Sequence, residues 1–231
     1  MGVNAIARRL SLGPSSCFNI LKTLCAEDAI EFDERAKTYF LAGGMIGIAR
    51  RALDPDGTYE QLRLQIEMLA ENWSLTAGLW RNSGRGRITL VGYAVGAVTM
   101  RIHMTVGQRL PLLIGATGRS IAAFENWSRD AIEEAYAQLH WQRPLAIDQY
   151  LDEVDKARQV GWAADEGWFI RGATTLAAPV SRSPGRVDYC VTATMFNAQH
   201  SPEACAAIGN ALIAIAGTVG DIRPLPERVT G

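Results

Sequence analysis

Two sets of residues have types and spacing that suggest binding chemistry, and neither is a catalytic set. The first is Ser15, Ser16, Phe18, Asn19 and Lys22. Small hydroxyl residues at a helix start let its unpaired N–H groups and partial positive charge approach a phosphate. Asn19 then stands where a major-groove helix can pair with adenine, Phe18 where it can touch a thymine methyl, and Lys22 where it can take a further phosphate. The second set joins Gly115-Ala116-Thr117-Gly118, between a Pro-terminated loop and an apolar helix, to Thr192 and Thr194, two residues apart on one strand face. Outward-facing amides and nearby hydroxyls make a cradle for a carboxylate. Both sets have plainer readings: a bare helical hairpin for the first, and strand propensity for the two threonines.

Enzyme chemistry finds less support. His103, His140 and His200 have no metal-ligand neighbour at helical spacing, so no metal or cofactor is expected. Gly84-Arg85-Gly86-Arg87 lacks the Lys-Ser/Thr of a phosphate loop and reads as a hairpin turn. Cys17, Cys25, Cys190 and Cys205 form no C-x-x-C pair, and no G-x-S-x-G nucleophile motif is present. Adjacent Asp165 and Glu166 diverge along the backbone, unlike the facing carboxylates of a glycosidase.

The elements that must position these residues follow from periodicity. A helix over 4–10 keeps Ala5, Ile6 and Leu10 on one side and Arg8 and Arg9 on the other. Gly13 suits an N-cap and Pro14 the first position of a helix over 15–26, whose Cys17, Ile20, Leu21 and Leu24 form a single stripe expected to be buried. Residues 29–33 and 38–41 read as a hairpin behind this helix-turn-helix, the wing of a winged helix. A linker helix over 43–52 precedes the break at Asp54-Pro55-Asp56-Gly57. Beyond it the pattern predicts helices over 59–72, 118–125, 129–139, 148–160 and 202–222, and strands over 75–80, 87–95, 99–104, 174–180 and 187–196, with 107–113 a loop. Strands in a run, then helices, then two more strands indicate an α+β fold with an antiparallel sheet.

Composition agrees with a folded protein. Hydrophobic residues make up 48% and charged residues 20%, and 23 basic residues against 24 acidic ones exclude a uniformly basic coat for nucleic acid. Residues 1–26 carry Arg8, Arg9 and Lys22 and no acid, so a local anionic partner remains open. No apolar run approaches the roughly 18 residues of a membrane span, and the cysteine-poor chain suits a reducing cytoplasm.

In its motifs the chain resembles the IclR family of bacterial transcriptional regulators. These motifs are Ala5-Ile6-Ala7-Arg8-Arg9-Leu10, Pro14-Ser15-Ser16 through Leu21-Lys22-Thr23-Leu24, Tyr39-Phe40-Leu41, Val106-Gly107-Gln108-Arg109-Leu110-Pro111, Gly115-Ala116-Thr117-Gly118-Arg119, Gly161-Trp162-Ala163-Ala164-Asp165-Glu166-Gly167 and Leu176-Ala177-Ala178-Pro179-Val180. The resemblance implies a winged helix-turn-helix over 1–42, a linker helix over 43–57 and a GAF-like effector-binding domain over 58–225. It implies a ligand-responsive regulator that binds a double-stranded DNA operator as a homodimer or homotetramer and takes a small organic, carboxylic acid as effector. Carried over residue by residue, the effector pocket comprises Ala116, Thr117, Asp165, Thr175, Thr192 and Thr194. Asp165 cannot favour a bare anion by itself, so it must act on a donor of the ligand or be held by its own partners.

Two departures from the family pattern stand out. A helix that usually precedes Asn4 is not in this sequence: either the true start lies upstream, or the winged helix lacks a core helix and a stripe of Ile6, Leu10, Ile20 and Leu24 is exposed. Leu112-Leu113-Ile114 replaces the usual histidine and small residues, which predicts an apolar pocket mouth suited to an aromatic or alkyl acid. The alternatives are a metabolite sensor whose incomplete winged helix does not bind DNA and, further off, an enzyme on the α+β domain.

Overall fold

The structure, a computed structural model, describes residues 1–125 and 127–220. The chain divides between Asp56 and Gly57 into two compact units. In the first, helices Val3–Arg9 (α1) and Pro14–Ala26 (α2) precede a hairpin of Ile30–Asp33 (β1) and Thr38–Leu41 (β2) and the helix Gly44–Leu53 (α3). Gly13 is the N-cap of α2 and Pro14 opens it, where its missing N–H leaves no bond unmade. Ala7, Cys17 and Leu21 form the small core, with Val3, Ile6, Ile30 and Tyr39 packed on it.

The α2 stripe is only half buried. Ile20 is 48% exposed and Leu24 37%. They line an open apolar depression of 340 Å³ together with Ile6, Leu10, Leu12 and Leu41. Helix α1 and the hairpin pack on one side of α2, and among the described residues the other side stays open.

The second unit is a six-stranded antiparallel sheet between two helical layers. Its strands are Thr76–Asn82 (β3), Arg87–Val95 (β4), Arg109–Pro111 (β5), Ala163–Glu166 (β6), Ala173–Val180 (β7) and Tyr189–Phe196 (β8). They lie in the order β5-β4-β3-β8-β7-β6. Helices Thr58–Trp73 (α4) and Pro202–Ala216 (α8) cover one face; Gly115–Phe124 (α5), Arg129–Ala137 (α6) and Ile147–Val160 (α7) cover the other. Strand alternation divides the core: Leu79 and Val191 pack toward α4 and α8, Trp80 and Cys190 toward α5 and α7.

Four sequence expectations are corrected. Residues 99–104 form no strand. The position beside β4 belongs to the later segment, where Arg87, Ile88 and Thr89 pair with Pro111, Leu110 and Arg109 and the Leu90 amide donates to Gln108. The expected loop over 107–113 therefore contains β5. Helix α5 starts at Gly115 and not at 118, because Gly115 adopts a left-handed φ of 63° that turns the chain into the helix. Helix α8 ends at Ala216 and turns follow through Val219, while the remainder of the expected helix to 222 and the domain end at 225 lie outside the described residues. Strand β6 was not anticipated: Ala163-Ala164-Asp165-Glu166 has neither apolar–polar alternation nor β-branched residues.

One close approach fixes α5 on its support. A Cβ on Gly118 would lie 2.0 Å from the backbone carbon of Leu113, so only glycine fits there. The Tyr150 hydroxyl of α7 donates to the Leu113 carbonyl at 3.0 Å, which holds the same turn from the other side.

Candidate functional site

Strand register brings the expected pocket residues together. Asp165 on β6 stands opposite Thr175 on β7, Thr175 opposite Thr194 on β8, and Thr194 opposite Thr76 on β3. One polar row therefore crosses four strands on the face that α5 covers. Thr192 lies one pleat away on the same face, and its hydroxyl donates to the Gly78 carbonyl at 3.3 Å. The Thr175 and Thr194 hydroxyls are 3.3 Å apart. Above them stands the start of α5, whose N-cap Ile114 has no side chain to satisfy the first amides. The Thr117 hydroxyl bonds back to the Ile114 carbonyl at 3.1 Å.

Ala116, Thr117, Asp165, Thr175, Thr192 and Thr194 all line one cavity of 80 Å³. Residues that the sequence reading missed complete it: Trp80, Phe169 and Ile170 on the apolar side, and Ile102, His103, Met104 and Gln108 from the segment expected to form a strand. His103 reads as isolated in sequence, yet it lines this cavity, with its Nε2 3.4 Å from the Thr105 hydroxyl. The apolar lining expected from Leu112-Leu113-Ile114 is supplied mainly by other residues, Ile102, Met104 and Leu110 among them. Leu112 and Leu113 pack into the core with Ile121 and Tyr150, and only Ile114 reaches the cavity.

Charge enters through Asp165, which is 3% exposed. Its Oδ2 accepts from Arg119 Nη1 at 2.8 Å, and its Oδ1 accepts from the Phe169 amide at 3.1 Å. Arg119 is wholly buried, with Glu153 of α7 paired to its Nε. Its guanidinium lies 5.2 Å from the Tyr150 ring centre and 5.4 Å from that of Trp141. Burial holds the Glu153 carboxyl above its ordinary range despite the pull of Arg119. The same cause raises the Tyr150 phenol and pushes the Cys190 thiol up to about 12, so neither is a reactive group near neutral pH.

A larger cavity of 590 Å³ follows the outer edge of β6 between α7 and α8, lined by Glu153, Lys156, Trp162, Glu166, His200 and Cys205 among others. Size alone favours it as a ligand site. The smaller cavity has the better chemistry, because a carboxylate, four threonine hydroxyls and an uncapped helix start converge there. None of the expected pocket residues lines the larger one.

The second expected set lies on the first unit. Ser15 and Ser16 occupy the first turn of α2, and Phe18, Asn19 and Lys22 follow along it, all exposed. Phe18 is 51% exposed, unusual for a large apolar residue that packs within a domain.

Comparison with known proteins gives a consistent pattern. Residues 60–220 match the family model described as bacterial transcriptional regulator IclR C-terminal. A glycerol operon regulatory protein of Streptomyces griseus is 27% identical over 183 residues, covering 78% of this chain and 71% of that one. Its counterpart in Streptomyces coelicolor is 24% identical over the same length. The fold resembles that of an IclR transcriptional regulator from Alicyclobacillus acidocaldarius, with a TM-score of 0.75 and 23% identity over 94% of this chain and 88% of that one. It also resembles the IclR of Thermotoga maritima, with a TM-score of 0.74 and 16% identity over 96% and 92%.

Proposed function

The chain belongs to the IclR family of bacterial transcriptional regulators, with a C-terminal effector-binding domain, and from that premise we propose that it binds operator DNA through α2 and a small hydroxy acid in the cavity under α5. The observation that carries the ligand half is the convergence of Ala116, Thr117, Asp165, Thr175, Thr192 and Thr194 on one cavity. A carboxylate accepts from the amides at the α5 start, where the helix dipole favours negative charge. A ligand hydroxyl donates to Asp165, and the threonine hydroxyls fix its orientation. The apolar wall of Trp80, Ile114 and Phe169 excludes water and strengthens these bonds.

In the DNA half, Ser15 and Ser16 approach the phosphate backbone while Phe18 and Asn19 face base edges and Lys22 pairs with a phosphate. Two recognition helices on related half-sites require a homodimer or a dimer of dimers. The regulator acts in the cytoplasm; among the described residues no helix is long and apolar enough to cross a membrane. The open apolar depression of the first unit favours a second reading, a metabolite sensor that does not engage DNA.

A thermal-shift panel of glycolate, lactate, acetate and glycerol tests the ligand half, because a ligand of the folded state raises apparent stability by mass action. Glycerol belongs in the panel because the Streptomyces relatives are named for the glycerol operon. Stabilisation by the hydroxy acids beyond acetate and glycerol is expected. Stabilisation by glycerol alone would move the ligand class to polyols. Selection of DNA fragments from a random pool tests the other half: recovery of a palindromic sequence supports operator binding, and no enrichment supports the sensor.

A further inference from the structure

We propose that Arg119 determines which ligands the cavity accepts, by fixing the orientation of the Asp165 carboxylate; this rests on the reading of that cavity given above. Arg119 does not line the cavity and touches no ligand there, so it is a positioning residue that acts through Asp165.

The geometry makes the case. Arg119 Nη1 and the Phe169 amide each take one oxygen of Asp165. A carboxylate offers about four acceptor positions, so two remain for a ligand. A carboxylate accepts hydrogen bonds at those positions and donates none, so they favour a hydroxyl and repel a second carboxylate. Without Arg119 the carboxylate loses the donor that fixes Oδ2, and its remaining positions are no longer held for a ligand hydroxyl. The single guanidinium beside Asp165 therefore aims the cavity's preference.

Arg119 is not simply a stability device. A buried ion pair adds little over well-packed apolar side chains of the same size. Here one guanidinium serves two carboxylates, Asp165 and Glu153, and its Nη2 has no hydrogen-bond partner among the described residues. That arrangement is poor for stability and good for fixing one orientation. Glu153 takes Nε from the α7 side and the rings of Tyr150 and Trp141 wall the guanidinium in, leaving Nη1 aimed at β6. The titratable and charged groups that face the pair are Glu153 and Tyr150 from α7 and Tyr136 from α6, with His103 on the far wall of the cavity.

The test compares glycolate with acetate, which differ by the hydroxyl, in calorimetry on the full chain near neutral pH. The parent should bind glycolate about tenfold more tightly, the size of a hydrogen bond to a charged acceptor. Arg119→Met should erase that preference. Asp165→Asn should do the same, and the two together should add nothing further, as expected of residues that act as a unit. Arg119→Lys, which keeps the charge, should restore the preference in part. A merely structural arginine would change melting temperature in these variants and leave the ratio alone. If Arg119→Met does not fold, the double variant Arg119→Met/Glu153→Gln removes one charge of each sign and is read the same way. Retention of the tenfold preference in a folded variant without Arg119 overturns the inference while the cavity reading stands. Equal binding of both acids by the parent also overturns it. If neither acid binds the parent, the cavity reading fails and the inference fails with it.

Discussion

Strand alternation on β7 offers an internal control for the ligand site. Thr174 and Thr175 are adjacent, yet they face opposite sides of the sheet. Thr175 lines the smaller cavity, opposite Thr194. The Thr174 hydroxyl donates to Asn197 at 2.9 Å and lines the larger one. Thr→Val at each position keeps shape and removes one hydroxyl. For Thr194→Val the only side-chain hydrogen bond at stake among the described residues is the 3.3 Å contact with Thr175, long for two hydroxyls. Its loss costs about 0.5–1 kcal/mol, offset in part by the added methyl, so stability should stay within about 1 kcal/mol of the parent. For a domain of this size that is at most ~2–4 °C in Tm. Affinity is a different matter. A ligand hydrogen bond lost in a buried cavity costs about 1–2 kcal/mol, or roughly 5–30-fold in Kd. Calorimetry with the hydroxy acid that most stabilises the parent should therefore show weakened binding for Thr194→Val and Thr175→Val, and parental binding for Thr174→Val. Equal loss in all three would point to a general loosening of the sheet. Loss confined to Thr174→Val would move the ligand to the larger cavity and refute the argument.

Further outcomes are expected elsewhere in the molecule. Asn19→Ala should weaken binding to a selected operator by ~1–3 kcal/mol and relax its sequence preference, while Lys22→Ala should weaken all sequences alike and reduce the salt slope; fluorescence anisotropy across a salt series reads both. Sedimentation at tens of micromolar should show at least a homodimer with or without ligand, and a monomer under both conditions would contradict the half-site argument. Glu153 binds its proton more tightly folded than unfolded, because burial dominates the pull of Arg119. Its contribution to stability is therefore greatest at low pH and is lost as pH rises through its folded value. Glu153→Gln should flatten that descent in urea unfolding followed from the ordinary carboxylate range upward; an unchanged slope would assign the descent to other groups.

Much of the site could be read from the chain because it depends on local rules. Gly13 and Pro14 mark the start of α2 by capping chemistry that needs no tertiary context. Thr192 and Thr194 share a face because the strand period is two. Grouping them with Asp165 and Thr175 came from family resemblance, since register between distant strands leaves no local trace. Arg119 falls within the motif Gly115-Ala116-Thr117-Gly118-Arg119, but for a related reason only tertiary packing shows it buried between two carboxylates. Residues 99–104 misled because β propensity there reports side chains that roof a cavity, while the edge of β4 is claimed by a segment that includes Pro111. Leu112 and Leu113 misled in the same way, apolar for the core and not for the cavity mouth.

A crystal structure grown with glycolate tests the central claim most directly. Density for the acid is expected beneath α5, with its carboxylate on the Ala116 and Thr117 amides and its hydroxyl on Asp165. Density along the β6 edge between α7 and α8, or none in either cavity of a crystal soaked to saturation, would contradict the assignment.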